Sequence, residues 1–304
     1  MADRTTEGRH PHSRGLHSAP AAEVLSRLLS AQEAALKAIR PAIPALEAAA
    51  DSAAAAIRSG GKMSYAGAGS SGLMALADCL ELAGTFGILP PQTPMMFAGG
   101  AGALLHMTGA GEDDPALALA DFAMAGIGAG DVVICVSASG STPYTLVVAG
   151  AAKAVGARVV GMANVPGSAL LALADIAVLL DTGPEVVAGS TRMAAGTAQK
   201  AALNMLSVLV GIRLGHVHDG YMVNVTADNA KLVDRAARIV AAVAGVSREV
   251  AVQALAEAGG ALKPAVLVAR GATITAALAA LAASDGKLDF TTTGPRARIT
   301  GRLQ

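Results

Sequence analysis

The fold is decided by a run of five apolar residues, Val132-Val133-Ile134-Cys135-Val136, and by the small and hydroxyl-bearing residues that follow it, Ser137-Ala138-Ser139-Gly140-Ser141-Thr142. A strand with one face in water alternates apolar and polar side chains, whereas a strand that is apolar throughout is covered on both faces. The run therefore predicts a central strand of a sheet with helices on both sides. The residues after it predict a loop that leads into a helix.

Strand-like and helical segments alternate on both sides of this run. The strand-like segments are short and mostly apolar, and stretches with helical spacing separate most of them. The predicted strands are Lys62–Ala66, Pro94–Ala98, Asp131–Ser137, Arg158–Ala163 and Ile176–Leu180, with helical stretches at Leu73–Leu82, Asp114–Ala125, Pro143–Val155 and Gly167–Ala174. This alternation predicts an α/β fold with a doubly wound parallel sheet.

Helical patterns also flank the predicted sheet. Residues 1–18 predict an irregular arm, and Pro41 and Pro44 divide the helical pattern that follows it. A long helix is predicted after the sheet, and the pattern beyond Asn229 is helical up to a loose tail near residues 291–302. We therefore expect three regions: an N-terminal arm with helices (1–50), the α/β domain (51–220) and a C-terminal helical region (221–304).

Composition and charge exclude several classes of protein. The 23 basic and 23 acidic residues give a formal net charge of zero, without the basic excess that a nucleic-acid-binding protein carries. The start of the chain lacks the apolar core of a secretory signal, and no run of about 18 apolar residues predicts a membrane span. We expect a cytoplasmic protein with neither a nucleic-acid nor a membrane partner.

The cysteines and histidines do not predict a metal site. Cys79 and Cys135 each lie in an apolar stretch, which predicts buried thiols rather than a disulfide framework or zinc ligands. His106, His216 and His218 are scattered and form no ligand motif, so we expect them at the surface.

Two loops of similar composition each follow a predicted strand and open a helix. We name Gly67-Ala68-Gly69-Ser70-Ser71-Gly72 the first serine loop and Ser137–Thr142 the second serine loop. The amide groups of a helix N-terminus bind anions, and ligands of open α/β sheets bind beyond the carboxyl ends of the strands. The two loops therefore predict a phosphate site, although either loop by itself is equally typical of a simple helix cap. The glycine spacing also fits a dinucleotide loop, but the acidic residue expected after the next strand is absent.

Two glutamates are candidates for proton transfer. Glu81 lies within the apolar run Leu80-Glu81-Leu82, and Glu112 follows a glycine-rich stretch. A glutamate among apolar neighbours has a raised pKa, which suits a general acid. On spacing alone, Glu81 is equally consistent with a solvated helix face, and Glu112 with a carboxylate at the start of a helix.

One further segment reads Gly189-Ser190-Thr191-Arg192-Met193-Ala194-Ala195-Gly196-Thr197-Ala198-Gln199-Lys200 and continues with Leu203-Asn204-Met205-Leu206-Ser207. This segment resembles a signature of the N-acetylmuramic acid 6-phosphate etherases, which are sugar isomerase (SIS) domain proteins. The resemblance spans about residues 5–245. Further matches include Thr6-Glu7, both serine loops, Ala98-Gly99-Gly100, Glu112-Asp113, Met222-Val223 and Asn229. It implies that residues 51–220 form an SIS sugar-phosphate domain and that residues 235–269 belong to a small helical domain.

The resemblance also implies an activity and a set of site residues. Family members are lyases of peptidoglycan recycling that release D-lactate from N-acetylmuramic acid 6-phosphate, giving N-acetylglucosamine 6-phosphate, without a metal or other cofactor. Glu81 would protonate the departing lactate and Glu112 would remove the C2 proton, or the two roles would be exchanged. The implied substrate-binding residues are Ser70, Ser71, Ser139, Thr142, Ser190 and Thr191. A homodimer, with neighbouring subunits building the site, is also implied.

Three positions depart from the family pattern, in which basic residues are usual. This chain has Leu73, Ser141 and Ala195 there. A missing arginine removes a bidentate donor for carboxylate or phosphate. Two alternatives therefore stay open: an SIS-type isomerase or lyase acting on another amino-sugar phosphate, and a non-catalytic regulator that binds a sugar phosphate.

Overall fold

A computed structural model describes residues 8–107, 109–225 and 230–290. The chain folds into two compact units: unit 1 contains residues 1–81 and 89–210, and unit 2 contains residues 82–88 and 211–304. These boundaries differ from the predicted divisions at residues 50 and 220, and the three-region division stays a prediction. Thr6-Glu7, Asn229 and the tail near residues 291–302 lie outside the described residues.

Unit 1 alternates strands and helices as the sequence pattern predicts. Its elements are α1 Ala21–Lys37, α2 Ile43–Arg58, β1 Met63–Gly67, α3 Gly69–Phe86, β2 Met95–Phe97, α4 Gly100–Leu105, α5 Pro115–Ala125, β3 Val132–Val136, α6 Pro143–Ala154, β4 Arg158–Ala163, α7 Ala169–Leu173, β5 Ile176–Leu179 and α8 Ala194–Arg213. The last residues of α3 and α8 belong to unit 2. The predicted α/β fold is confirmed.

The five strands of unit 1 form one parallel sheet in the order β2-β1-β3-β4-β5. Strand β1 pairs with β2 on one side and with β3 on the other, so the chain changes direction across the sheet at this point. The last residues of β1 and β3, Gly67 and Val136, are register partners. Such a switch point leaves a crevice at the carboxyl ends of the strands. Both serine loops begin there.

Helices cover both faces of the sheet. All five residues of β3 are buried, as the unbroken apolar run predicts. Val133 and Cys135 of β3 belong to one apolar cluster together with Tyr144 and Val148 of α6. On the opposite face, the hydroxyl of Tyr65 reaches α3. Alternate side chains of a strand point to opposite faces, so an apolar strand packs between two layers of helices.

The N-terminal arm of unit 1 is more regular than predicted. Residues 8–18 contain two short 3₁₀ turns, Pro11–Ser13 and Leu16–Ser18. The Ser13 hydroxyl donates a hydrogen bond of 2.7 Å to the carbonyl of Val186, which fixes one turn. Across the described residues, no single helix has the length and apolar composition needed to span a membrane.

Unit 2 combines a hairpin with four helices. Its elements are β6 Val217–His218, β7 Tyr221–Met222, α9 Ala230–Ala244, α10 Arg248–Glu257, α11 Leu262–Ala269 and α12 Ile274–Ala283. The hairpin was not predicted, although Asp219-Gly220 is a typical two-residue hairpin turn. Both turn residues have positive φ, 45° and 78°. The buried core of the helices includes Val240, Leu255 and Val266.

His216 of unit 2 is partly buried, so its predicted surface position is wrong. Its Nδ1 lies 3.4 Å from Nδ2 of Asn224, which also donates a hydrogen bond to the Phe86 carbonyl. Burial, and then the charge of Lys263, lower the pKa of His216 to about 4 from its ordinary value of 6.5. The folded chain therefore holds this imidazole neutral at neutral pH.

Replacing His216 tests this burial. Between pH 6.5 and about 4, His216 is protonated in the unfolded chain but stays neutral in the folded chain. The folded state therefore becomes less stable as the pH falls through this window. From pH 7 to pH 5, wild type should lose about 2 kcal/mol more of its free energy of unfolding than His216→Gln. Urea unfolding at the two pH values measures the difference. Equal losses would contradict the lowered pKa.

Candidate active site

The two serine loops of unit 1 are joined by a direct hydrogen bond. The backbone amide of Ala138, in the second loop, donates to Ser71 Oγ, in the first, at 3.1 Å. Ser71 is buried, and Ser70 beside it is half-exposed in the first turn of α3. Because Ser71 accepts this bond, only its own proton remains to be donated to a ligand. The two loops therefore form one structure at the switch point of the sheet.

Ser137 organises the second serine loop from within. Its buried hydroxyl accepts a hydrogen bond from the Gly140 amide at 3.1 Å and lies 2.8 Å from Thr142 Oγ1. Ser139 Oγ accepts bonds from the amide and from the hydroxyl of Ser141, at 3.2 and 3.0 Å. Ser139, Ser141 and Thr142 are each partly exposed. The loop therefore presents three hydroxyl groups over a buried hydroxyl that holds its shape.

The close approach of two segments explains the glycine in the second loop. Gly140 has φ of 62°, a conformation that favours glycine. A Cβ at this position would lie 2.2 Å from Ser168 Oγ, which is closer than any real contact. Any side chain here would push the loop off the residues that precede α7.

Glu112 lies at the amino end of α3. A Cβ on Gly69 would meet the Oε1 of Glu112 at 2.7 Å, so the glycine makes room for the carboxylate. Gly69 has φ of 53° and directly precedes Ser70 and Ser71. Burial, and then the negative charge of Asp113, raise the pKa of Glu112 above its usual value. The structure thus places one carboxylate with a raised pKa against the first serine loop.

Glu81 lies far from this position within the same chain. It stands twelve residues after Gly69 on the continuous helix α3, which corresponds to a rise of about 18 Å along the helix axis. Its side chain is exposed, and so is that of Leu80, at 69%. The apolar surroundings expected for Glu81 are therefore absent from the single chain. One chain does not bring Glu81 and Glu112 together.

Ser190 and Thr191 belong to a turn before α8. The turn is closed by backbone bonds, from the Ser190 amide to the Val187 carbonyl at 2.9 Å and from the Gly196 amide to the Thr191 carbonyl at 2.9 Å. Both side chains are partly exposed. A buried carboxylate, that of Glu185, holds the start of the helix that follows. The turn is thus fixed by α8, and it makes no direct bond to either serine loop among the described residues.

Glu185 caps α8 with its side chain. Its two carboxylate oxygens accept hydrogen bonds from the amides of Ala194 and Ala195, each at 2.9 Å. The residue is 1% exposed. A helix N-terminus carries unpaired amides and partial positive charge, which a carboxylate satisfies. The amino end of α8 is therefore already occupied by the carboxylate of Glu185.

A second buried carboxylate, Asp78, connects three elements. It accepts hydrogen bonds from the Tyr65 hydroxyl at 2.9 Å, the Asn204 amide group at 2.7 Å and the Ser207 hydroxyl at 2.9 Å. Burial raises the pKa of Asp78, and the three donors oppose that rise. Asn204 also accepts from Lys200. The polar residues of the signature segment thus hold α8 against α3.

Sequence reasoning did not single out three residues whose side chains make buried polar contacts. Glu185, Asp78 and Ser137 are each at most 5% exposed. One signal was available for Ser137, because a serine that ends an apolar strand often caps the turn after it. Nothing local distinguishes Glu185 or Asp78, since their partners lie 9 to 129 residues away in the chain.

Removing one acceptor of the α8 cap should destabilise unit 1. In Glu185→Gln, the amide NH₂ would face a backbone N–H, leaving one buried donor unpaired, and the charge would be lost. We expect the free energy of unfolding to fall by about 2 kcal/mol. Asp181→Asn, an exposed acidic residue four positions earlier, is the matched control and should change it by less than about 0.5 kcal/mol. Urea unfolding measures both, and equal effects would contradict the cap.

Several named proteins are similar to this chain over most of its length. The chain is 43% identical to the N-acetylmuramic acid 6-phosphate etherase of Deinococcus radiodurans over 265 residues, covering 87% of each protein. It is 39% identical to that of Aeromonas hydrophila over 287 residues, covering 94% of this chain and 96% of the relative.

The fold of unit 1 has a counterpart among solved structures. A Bacteroides fragilis structure assigned as a phosphosugar isomerase involved in capsule formation superposes with a TM-score of 0.51 at 20% identity, covering 66% of this chain and 95% of that one. The family model of the SIS domain matches residues 27–164, which contain both serine loops and Glu112. With the identity to the curated relatives, these matches show that the chain belongs to the N-acetylmuramic acid 6-phosphate etherase family of SIS-domain proteins.

Proposed function

We propose that this protein is a carbon–oxygen lyase that cleaves the D-lactyl ether of N-acetylmuramic acid 6-phosphate. The products are N-acetylglucosamine 6-phosphate and D-lactate, as the names of its relatives suggest. The observation that carries the proposal is the position of Glu112, whose carboxylate lies against Gly69 where the two serine loops meet. This position supports Glu112 as the base that acts on a sugar whose phosphate is bound by the two serine loops.

The reaction requires one base and one acid. Opening of the sugar ring gives an aldehyde at C1, which acidifies the C2 proton. A base removes this proton, the C3–oxygen bond breaks and an acid protonates the departing lactate. Water then adds across the C2–C3 double bond, its hydroxyl at C3 and its proton at C2. Glu112 has a pKa raised by burial, so it is a stronger base than an ordinary carboxylate once it is ionised.

The serine loops supply neutral donors to the phosphate. Ser139 and Thr142 are partly exposed in the second loop, and Ser70 is partly exposed at the start of α3. The first-turn amides of α3 and α6 add donors and the positive ends of two helices. We assign the phosphate to the edge of the sheet where these hydroxyls and amides lie. Ser71 mainly joins the two loops. Ser190 and Thr191 would contact the substrate from the turn before α8.

We propose a homodimer in which Glu81 acts in the site of the neighbouring subunit. The separation of about 18 Å along α3 leaves Glu81 too far from Glu112 to serve the same sugar within one chain. Leu80 beside it, and Met205 and Val208 on α8, are 69%, 44% and 44% exposed. Exposed apolar side chains on helices that contact each other are typical of an association surface. Pairing there would bring Glu81 of the partner subunit toward Glu112.

A cytoplasmic location in peptidoglycan recycling is also proposed. The thiols of Cys79 and Cys135 are buried and free. Free cysteines without disulfides are typical of proteins of a reducing compartment. The substrate is a phosphorylated sugar, which suits the same compartment.

Replacing Glu112 should abolish lactate release. Glu112→Gln keeps the shape of the side chain but removes the base, so kcat/KM for N-acetylmuramic acid 6-phosphate should fall by at least about 100-fold. Glu33→Gln, an exposed glutamate on α1, is the control and should retain full activity. Quantified D-lactate is the readout, with solvent deuterium at C2 of the product as a second one.

The same assay separates the alternatives. A wild-type protein that binds a sugar phosphate without releasing lactate would support the isomerase or the regulator and overturn the lyase. An active wild type with an equally active Glu112→Gln would leave the reaction in place and remove Glu112 as its base.

Mixed dimers test whether the two glutamates come from different subunits. Co-expressing Glu81→Gln and Glu112→Gln chains with different tags gives dimers in which one site keeps both glutamates. Such dimers should show about half of the wild-type activity, while each variant alone is inactive. Inactive mixed dimers would mean that each site takes both glutamates from one chain, which the length of α3 argues against.

A further inference from the structure

We propose that Gln199 and Asn164 are positioning residues that hold the two serine loops in register for phosphate binding, an inference that rests on the proposed function. Gln199 lies on α8 and Asn164 directly follows β4. Both are completely buried, at 0% exposure, and both are polar. A buried amide is costly unless its groups are paired. Both groups of the Asn164 side chain are paired, whereas Gln199 is paired through its NH₂ group and its Oε1 has no hydrogen-bond partner among the described residues. The partners of the paired groups indicate what these side chains hold in place.

A chain of hydrogen bonds runs from α8 to the amino end of α3. Gln199 Nε2 donates to Asn164 Oδ1 at 2.9 Å. The backbone N–H of Asn164 donates to the Ala138 carbonyl at 2.9 Å, and the backbone N–H of Ala138 donates to Ser71 Oγ at 3.1 Å. The peptide groups on both sides of Ala138 are thus held, one by each neighbour. Ala138, in the second serine loop, is therefore fixed through both its backbone N–H and its carbonyl.

We call this chain of hydrogen bonds, from Gln199 through Asn164 and Ala138 to Ser71, the relay. The groups around the Asn164 side chain determine the direction of its bond with Gln199. Asn164 Nδ2 donates to the Leu180 carbonyl at 2.9 Å and lies 3.3 Å from Thr182 Oγ1. Because a carbonyl only accepts, the NH₂ group of Asn164 must face Leu180 and its oxygen must face Gln199. Gln199 must then present its NH₂ group. Only a donor at position 199 completes the relay.

The relay fixes where the phosphate donors stand. Asn164 joins the ends of β4 and β5 to the second serine loop, and Ser71 joins that loop to α3, whose first residue, Gly69, lies against the Glu112 carboxylate. Losing the donor at position 199 leaves Asn164 Oδ1 buried and unpaired, and Asn164 then relaxes toward another partner. The loop hydroxyls and the α3 amides would no longer converge on one anion. Gln199 and Asn164 do not touch the substrate themselves.

Gln199→Met tests the donor with little change of shape. We expect the Kd for N-acetylglucosamine 6-phosphate, measured by calorimetry, to rise about tenfold, which corresponds to about 1.4 kcal/mol. KM for N-acetylmuramic acid 6-phosphate should rise in parallel, with kcat changed less than about threefold, because the defect lies in holding the phosphate.

Ser207→Ala is the matched control on the same helix. It removes a buried hydrogen bond to Asp78, which does not belong to the relay. It should lower the melting temperature about as much as Gln199→Met while leaving Kd unchanged. If both variants weaken binding equally, general destabilisation explains the effect and the proposal is wrong.

Gln199→Glu separates a lost donor from lost packing. An ionised carboxylate would face the Asn164 oxygen without a proton to donate, whereas the protonated acid donates as the amide does. Burial raises the pKa of such a carboxyl, so protonation falls within reach of mildly acidic pH. The ratio of the variant Kd to the wild-type Kd should be about tenfold at pH 8 and approach one at pH 5. A ratio that does not change with pH would overturn the donor role.

Failure of the relay and failure of the proposed lyase function give different results. A wild-type protein that binds no N-acetylglucosamine 6-phosphate would remove the proposed function. A wild type that binds it, with Gln199→Met binding equally well, would remove only the relay.

Discussion

The hydrogen bond between the Ala138 amide and Ser71 Oγ is the contact on which the rest of unit 1 depends. The parallel pairing of β1 with β3, in which Gly67 and Val136 are register partners, places the starts of the two serine loops side by side. The bond then joins the start of α3 to the loop after β3. Glu112, the loop hydroxyls and two helix N-termini are thereby brought to one place.

Buried polar groups then determine how α8 lies in unit 1. Its first amides are held by Glu185, its second turn bonds to Asn164, and its middle bonds to Asp78. Alanine-rich helices have few large side chains with which to interlock, so apolar packing leaves a helix free to slide or rotate. Directional bonds at three levels remove that freedom. Polar positions of the signature segment are therefore explained by packing.

The sequence predicted what local pattern determines. Apolar runs located the strands, and small residues after them located both serine loops. The depth of Glu185 and Asp78 was not predictable, because each is held by partners distant in the chain. The exposure of Glu81 in the single chain has a related reason: neighbours in sequence are not neighbours on a helix surface, and only every third or fourth residue shares its face. The hairpin turn at Asp219-Gly220 is predictable from its two residues.

Two opposing effects act on Glu112, and their balance determines what it can do. The amino end of α3 carries partial positive charge, which favours the ionised carboxylate and would lower its pKa. Burial and the charge of Asp113 favour the protonated acid, and the pKa of Glu112 is raised. Burial is the largest of the effects that raise it. A carboxylate at an exposed helix start would be too weak a base for a carbon acid. Partial burial against Gly69 preserves its basicity.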